Sequence, residues 1–443
     1  MTKIIEGVKQ KISPRKISGI ADYNEYQNFY LGHLESIAIE NFKRYGFTRL
    51  YSRPLELREV LVANGGIQKQ IFGVSRLQND KATDLALPFD RTVPFAVWVV
   101  RNARDITFPF KRFDSSYSFR GERAQAGRFQ AFIQTDIDII GDKFLDSSAD
   151  SECISVLFNT IESFNIGSAY LCVNNIRLVN SILDKFGIYE NREDVLREID
   201  KLLKVSKEEV VEEIVKLGLD EKTSLDLVNI FSYQGDIENF IAKNEFNTPE
   251  IKESVNELEE VISGLKLSGI SEKKIKFTPS IVRGLNYYTG TVFETFLEGF
   301  ENYGSISSGG RYDNLASTFT DLKLPGVGGS IGLTRLFDII CQNNLLNFER
   351  KTIADILVAF RVSSLRNKSQ EVAQKLRAKG FFVDLYCGDG SIKKQLSYGN
   401  AKGFSKAVLV MDNESFVYKD LSSGEQIEFK NIDDLVNYII GGK

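Results

Sequence analysis

Histidine is almost missing from this chain: His33 stands alone among 443 residues, with only four cysteines, two methionines, one tryptophan and eight prolines. A multi-histidine metal centre is thereby excluded, and a Ser-His-Asp triad would depend wholly on His33. That residue lies beside Leu31 and Leu34 in a stretch of helical spacing and reads as a helix-surface or packing residue rather than a catalyst. Cys153, Cys172, Cys341 and Cys387 form no C-x-x-C pair. This argues against a zinc knuckle, a redox couple or a disulfide framework and leaves buried, reduced thiols as the expectation. Long apolar runs are lacking too. The longest is the eight residues Val93–Val100, well short of the roughly 18 that a membrane span needs. The first sixteen residues mix Lys3, Lys9 and Lys11 with Glu6 and hold no apolar core, so they do not read as a secretory signal and a cytoplasmic protein is expected.

No charge of one sign dominates either. Lys and Arg number 56 against 60 acids, a net charge of −4, so any binding to nucleic acid must be regional. The basic residues are gathered in one place: 361–406 holds 10 basic and 3 acidic side chains, and 351–443 as a whole is +3. Hydrophobic residues at 42% and charged residues at 26% give the balance of an ordinary globular protein. The length fits about three domains.

Apolar residues at Tyr26, Phe29, Tyr30, Leu34, Ile37 and Phe42 predict a helix over 22–45 that stops at Gly46, followed by a short strand over 47–52 that ends at Pro54. From Phe108 to Gly141 the pattern alternates around a polar loop, 121–127, which predicts an antiparallel hairpin. Between 188 and 276 charges become dense and the spacing helical, with a capping box at Ser206 and Glu209 and an N-cap and N1 pair at Thr248 and Pro249. Strands, glycines and aromatics return at 281–340, so the first core is expected to be discontinuous: 1–187 and 277–345, interrupted by a helical insertion at 188–276. Strands alternating with helices over 351–443 predict a small α/β domain with largely parallel strands.

If 128–138 is a strand, its period of two places Phe132, Gln134, Asp136 and Asp138 on one face and Ile133, Thr135, Ile137 and Ile139 on the other. Taken alone, a sheet with one solvated side explains this. The adjacent Phe119-Arg120-Gly-Glu122-Arg123, as the pairing strand, could set guanidinium groups beside those carboxylates and bind a ligand carrying phosphate and amino groups. Three further clusters stand out: Arg283-Gly-Leu-Asn286-Tyr287-Tyr288-Thr-Gly290, Gly309-Gly310-Arg311-Tyr312-Asp313, and Gly326-Val-Gly-Gly-Ser330-Ile-Gly332-Leu-Thr-Arg335. The paired tyrosines fit a binding site or a bend holding two core rings equally well. The last cluster has the spacing of neither a dinucleotide fingerprint nor a P-loop.

Together, Phe119-Arg120-Gly-Glu122-Arg123, Gln134-x-Asp136-x-Asp138, the paired-tyrosine motif, Gly-Gly-Arg311-Tyr312-Asp313 and Gly332-Leu-Thr-Arg335 resemble the histidyl-tRNA synthetase family of class II aminoacyl-tRNA synthetases. The resemblance covers nearly the whole chain. It implies an α+β fold, with an antiparallel-sheet catalytic domain carrying a helical insertion and a C-terminal α/β anticodon-binding domain. It also implies ATP-dependent attachment of L-histidine to its tRNA through an adenylate, with Mg2+ accompanying ATP, no resident metal and a homodimer whose interface lies near the early strand and Pro54. An ionised carboxylate nucleophile needs no general base, which suits a protein with one histidine.

Carried over by likeness, Arg120 and Arg283 are the arginines at the α-phosphate. Phe132 and Arg335 enclose adenine, and Glu122 and Arg128 complete the ATP site. Asp90, Arg91 and Thr92 hold the amino end of histidine; Gln134, Asp138, Tyr287, Tyr288 and Tyr312 form its pocket, with Asp138 accepting from a ring N–H. Arg123 and Gln125 face the tRNA acceptor end. Lys394, Tyr398 and Lys402 share a helix face; spacing alone favours a solvated face, and the likeness makes it an anticodon contact. The chain departs from the family pattern at Pro88, Ala124, Asn286 and Thr334. Two rivals are a synthetase-like regulatory subunit of ATP phosphoribosyltransferase, which lacks the last domain, and a synthetase-derived RNA-binding or sensor domain, against which the retained arginines argue.

Overall fold

The structure, a computed structural model, describes residues 13–63, 68–78, 84–123, 127–244, 246–282, 287–347 and 351–441. Arg283, Gln125, Ala124 and Asn286 lie outside the described residues. The chain divides into two compact units, one comprising Leu34–Leu346 with the residues up to Asp22, the other Asn347–Lys443 with Tyr23–His33.

In the larger unit the strands run β1 (Thr48–Arg49), β2 (Glu56–Leu57), β3 (Gly73–Val74), β4 (Leu85–Ala86), β5 (Phe110–Phe119), β6 (Ala131–Ile140), β7 (Ala169–Asn175), β8 (Ile275–Phe277), β9 (Thr291–Leu297), β10 (Ser307–Tyr312) and β11 (Gly326–Ile331). Among the described residues eight of them form one sheet, in the order β1-β5-β6-β11-β10-β9-β7-β8. It is antiparallel throughout its centre and parallel only at its two edges, β1 with β5 and β7 with β8. The hairpin expected over 108–141 is β5 paired with β6 from Phe110↔Ile140 to Phe119↔Ala131. The early strand is shorter than the spacing predicts, two residues only.

Period-two alternation splits this sheet into two unlike faces. Phe113, Thr135, Ile137 and Ile139 are buried on one, where the Phe42 ring of the first helix (Glu25–Arg44) lies 5.9 Å from Phe113. The other carries Arg112, Asp114, Ser118, Asp136 and Asp138, all buried as well. It is roofed by helix Thr92–Asn102, whose Val93, Phe95, Ala96 and Val99 form a core with Phe89, Ile140 and Tyr312. Around Arg112–Asp114 and Thr135–Ile139 neither face is therefore solvated.

The 188–276 stretch is largely helical, with Arg192–Ile199, Lys207–Lys216, Glu221–Phe231, Ile237–Lys243 and Pro249–Leu267, and its last two residues already belong to β8. Four of these five helix starts are side-chain capped. Ser206 Oγ accepts from the Glu209 N–H at 3.2 Å, Asp220 from Thr223 at 3.0 Å, Asp236 from Asn239 at 2.8 Å and Thr248 from Ile251 at 3.4 Å. Such caps contribute roughly 1 kcal/mol each. The block belongs to the larger unit: Ile251, Leu258, Val261 and Leu265 of its last helix are buried, and Asn175 on β7 donates to Glu257 at 3.0 Å. The core resumes after it with β9, β10 and β11, which fill the middle of the sheet between β6 and β7.

The smaller unit holds β12 (Ile356–Phe360), β13 (Val383–Leu385), β14 (Lys406–Val410), β15 (Phe416–Asp420) and β16 (Gln426–Phe429), in the order β13-β12-β14-β15-β16. The first three are parallel, as expected; β15 and β16 add an antiparallel edge that the sequence reading does not contain. Helices Arg366–Ala378, Ile392–Lys402 and Ile432–Gly441 flank this sheet. Cys153 and Cys172 are buried free thiols, but Cys387 is exposed, its Sγ donating to the Leu385 carbonyl at 3.1 Å, because the turn after β13 leaves it at the surface. Among the described residues no helix is long and apolar enough to cross a membrane.

Candidate active site

The centre of the polar face is a cluster of buried charges fixed by strand register. Arg112 on β5 pairs across from Asp138 on β6, and Asp114 from Asp136. Asp138 Oδ2 lies 2.5 Å from Arg112 Nη2, and its Oδ1 accepts from the Tyr312 hydroxyl at 2.7 Å. Asp114 faces Arg91 Nε at 3.4 Å. Room for this depends on β11. A Cβ on Gly328, the register partner of Asp138, would sit 2.0 Å from Asp138 Oδ1, and one on Gly326 would sit 2.4 Å from the Tyr312 ring. The glycines of the fourth cluster are thus spaces for side chains on neighbouring strands, which is why they match no phosphate-loop spacing.

Burial pushes the carboxyls of this cluster up. Asp138 is raised to about 6, desolvation outweighing the opposing pull of Arg112 and the Tyr312 hydrogen bond. Asp136 is raised to about 8 by burial, held back by Arg112 but reinforced by Asp138 and Asp114. Asp90, also to about 6, is buried beside Arg120 and Arg112. Desolvation likewise keeps the phenols of Tyr287, Tyr288 and Tyr312 protonated.

The wall beside this floor is aromatic. Tyr287 packs edge-on against Tyr288, centroids 5.0 Å apart, and against Tyr312 at 5.9 Å; its hydroxyl reaches Asp90 Oδ2 at 3.5 Å. Asp90 Oδ1 accepts from the Val93 N–H at 3.1 Å, which fixes the carboxylate at the start of helix Thr92–Asn102. The paired tyrosines are therefore packed and at the same time line a polar floor.

At the far end of β5 and β6 the charge changes sign. Arg120 continues the hairpin ladder, its N–H donating to the Gln130 carbonyl at 2.9 Å. Its Nε donates to the Phe89 carbonyl at 3.1 Å, and the guanidinium lies 5.1 Å from the Phe132 ring centroid. Arg335, on helix Leu333–Asn343, donates from Nε to Gly127 O at 2.9 Å and from Nη1 to Ser305 O at 2.7 Å. Burial and the nearby guanidinium groups of Arg120 and Arg128 lower its pKa. Arg120, Arg128 and Arg335 thus lie close enough to act on one another, with Arg120 over the Phe132 ring, an arrangement suited to a polyanion. Glu122 lies 4.0 Å from Arg128, and the partly buried Glu294 on β9 is raised to about 7 by desolvation and Asp200.

Sequence-predicted residues sort into these two regions. Asp90, Asp138, Tyr287, Tyr288 and Tyr312 gather at one, with Thr92 at the helix start; Arg120, Glu122, Arg128, Phe132 and Arg335 gather at the other. Gln134 lies on the same face of β6 between the two groups and donates to Ser330 at 2.9 Å. Arg91 is placed differently: its guanidinium is buried on Asp114. The guanidinium beside the paired carboxylates is Arg112, not Arg120 or Arg123, since the ladder from Phe110 to Phe119 carries Arg120 past the end of β6. Arg112 was missed in the sequence because an arginine within a strand ordinarily signals solvent. Arg123 is exposed. Thr334, a departure from the family pattern, accepts from the Ile133 N–H at 2.8 Å and so ties helix Leu333–Asn343 to β6. Pro88 contributes its carbonyl to the Phe119 N–H at 2.9 Å. Among the described residues no group of three or more His, Cys, Asp and Glu side chains is arranged to hold a metal.

In the smaller unit, Lys394, Tyr398 and Lys402 occupy helix Ile392–Lys402. Tyr398 is not a free stacking platform: its hydroxyl donates to Asp384 at 2.7 Å and its ring packs edge-on against Tyr386. Lys402 is paired with Glu25, and Lys394 is exposed.

An antiparallel sheet with an arginine-rich end, interrupted by a helical insertion and followed by a separate α/β unit, defines a class II aminoacyl-tRNA synthetase. Residues 19–336 match the family described as histidyl-tRNA synthetase, and residues 355–441 match the anticodon binding domain. The chain belongs to the histidyl-tRNA synthetase family. It is 33% identical to a histidine–tRNA ligase of Clostridium tetani over 97% of this chain and 99% of that protein. It is 34% identical to one of Wolinella succinogenes over 97% and 99%. The crystal structure of histidyl-tRNA synthetase from Nostoc sp. PCC 7120 superposes with a TM-score of 0.86 at 31% identity, covering 98% of this chain and all of that one.

Proposed function

We propose that the polar floor and the arginine cluster are the amino-acid and nucleotide subsites of one histidine-tRNA ligase centre. The protein attaches L-histidine to its tRNA at the expense of ATP. The histidine carboxylate, ionised at neutral pH, attacks the α-phosphorus of ATP. The bond to the bridging oxygen breaks, pyrophosphate leaves, and histidyl-adenylate forms. A terminal ribose hydroxyl of the tRNA then attacks the acyl carbonyl, gives up its proton, and AMP departs.

The observation that carries the subsite assignment is the change of chemistry along β5 and β6, from the buried acids Asp136 and Asp138 to the guanidinium group over Phe132 and its cationic neighbours Arg128 and Arg335. Asp90 and Thr92 take the α-ammonium, and Asp138 with Tyr288 and Tyr312 takes the ring. Arg120 and Arg283 neutralise the charge that develops on the α-phosphate; losing one such preorganised donor costs on the order of 10²-fold in rate. Adenine stacks between Phe132 and Arg335, which requires Arg120 to swing off the Phe132 ring towards the phosphates. Magnesium enters with ATP as part of the substrate. A pocket of buried polar groups rejects apolar amino acids because binding them would leave those groups unpaired. The C-terminal unit reads the tRNA, and the enzyme is a cytoplasmic homodimer assembled near β1, an edge strand followed by the exposed Tyr51.

Isotope exchange between ATP and pyrophosphate tests the assignment directly. The full-length protein should catalyse it with histidine and not with phenylalanine or glutamine. Exchange without amino-acid dependence would contradict the assigned pocket.

A further inference from the structure

One buried cation, Arg112, touches neither the adenylate-forming nor the nucleotide-binding groups. Arg112, the third residue of β5, is 0% exposed, its guanidinium covered by the Phe95 ring 4.5 Å from the centroid. Its Nη2 serves Asp138 Oδ2 at 2.5 Å and the Arg91 carbonyl at 3.2 Å, while Nε and Nη1 are buried without a hydrogen-bond partner. Stability is a weak reason for such a residue, since buried ion pairs are often no better than apolar side chains of equal volume. What the pair does achieve is geometric. Asp138 is gripped at both oxygens, by Arg112 at Oδ2 and by the Tyr312 hydroxyl at Oδ1. With its one proton committed to Asp138, the Tyr312 oxygen can only accept a further hydrogen bond.

Resting on the histidine-ligase reading, we infer that Arg112 is a positioning residue. By holding Asp138 ionised and Tyr312 turned towards it, Arg112 makes this end of the pocket an array of acceptors that selects a ring N–H donor. Many charges bear on Asp138. Arg112 and Asp114 come from β5, Asp136 from β6 and Tyr312 from β10; Asp90 and Arg91 precede the roofing helix, Tyr287 and Tyr288 form the wall, and the neutral thiol of Cys153 lies in helix Ser148–Ser163. Among the largest influences on Asp138, Arg112 and the Tyr312 hydrogen bond favour the carboxylate, against burial and Asp90. Without Arg112 the carboxyl takes up a proton, becomes a donor, and frees Tyr312 to rotate, which inverts the pattern presented to the ring.

The test measures exchange from pH 5.5 to 9 for the full-length protein, Arg112→Gln, Arg112→Lys, and Arg112→Gln with Asp136→Asn, a pair that takes away with the cation the neighbouring buried acid that would otherwise ionise unopposed above about pH 8, and so protects folding at the alkaline end. Loss of a contacting opposite charge moves a buried carboxyl by about one unit or more. The acid limb of kcat/KM for histidine should therefore shift to higher pH by about that much in both variants lacking the cation, with KM for histidine up at least about tenfold. KM for ATP should stay within about threefold, and Arg112→Lys should recover part of the loss. Equal losses towards histidine and ATP, or an unmoved acid limb in a variant whose near-ultraviolet circular dichroism matches the parent, would overturn the inference alone. No histidine-dependent exchange in the parent protein would overturn both the inference and the reading beneath it.

Discussion

At the scale of single residues, the site is a problem of space and charge within one sheet face. Gly328 shows the first. Asp138 is pinned by Arg112 and Tyr312 and cannot retreat from a new methyl group whose carbon would fall 2.0 Å from its Oδ1. Gly328→Ala should therefore leave ATP use nearly unchanged while lowering kcat/KM for histidine by about 10²-fold, at a stability cost of roughly 1–3 kcal/mol. Steady-state exchange and chemical denaturation measure the two effects. Asp138→Asn tests charge: the amide removes the carboxylate that contacts Arg112, leaving Asp136 and Asp114 as the acids around it, which should cost on the order of 3–5 kcal/mol and weaken histidine use far more than ATP use. Equal losses would contradict the assigned role. Period-two spacing was enough to put Phe132, Gln134, Asp136 and Asp138 on one face. It could not reveal that Arg112 rather than Arg120 sits beside the acids, because that depends on ladder length and on a roof contributed from residues 92–102.

At the scale of elements, the β5–β6 hairpin concentrates its ionisable groups on one side, and this makes the fold itself sensitive to pH. Asp136 has an ordinary value near 3.8 when unfolded and about 8 when folded. The folded state holds a proton that the unfolded state lacks across that interval, so this group's contribution is fully present at low pH and is lost as pH rises towards 8. Asp90 and Asp138 act in the same sense over a narrower range, up to about 6. The melting temperature should accordingly decline between pH 6 and pH 8.5, and Asp136→Asn should flatten that decline. A slope unchanged by the substitution would show that Asp136 does not carry the proton. The helical elements were the most legible ones in the sequence, since a cap such as Thr248 with Pro249 announces itself through residue type and spacing. Strands β15 and β16 were not legible: each is four or five residues long, they lie at a sheet edge, and polar residues such as Gln426 and Glu428 obscure any alternation.

At the scale of the whole molecule, the proposed assignment of activation and tRNA reading to the two compact units predicts that single substitutions separate them. The basic bias of 361–406 was visible from composition, but not how much of it remains available. Tyr398 is held by Asp384 and Lys402 by Glu25, which leaves Lys394 as the exposed member of the expected face. An exposed lysine beside a phosphate backbone acts through counter-ion release, so its loss should reduce the slope of log affinity against log salt by about one. Lys394→Glu should raise KM for tRNA in charging about five- to tenfold at low salt and less at high salt, while histidine-dependent exchange stays within about twofold. Tyr398→Phe, which removes a hydroxyl already used inside the unit, should change charging little. A charging rate indifferent to Lys394→Glu at low salt would remove this helix face from the tRNA contact and leave the other basic positions of 361–406 to be tested in turn.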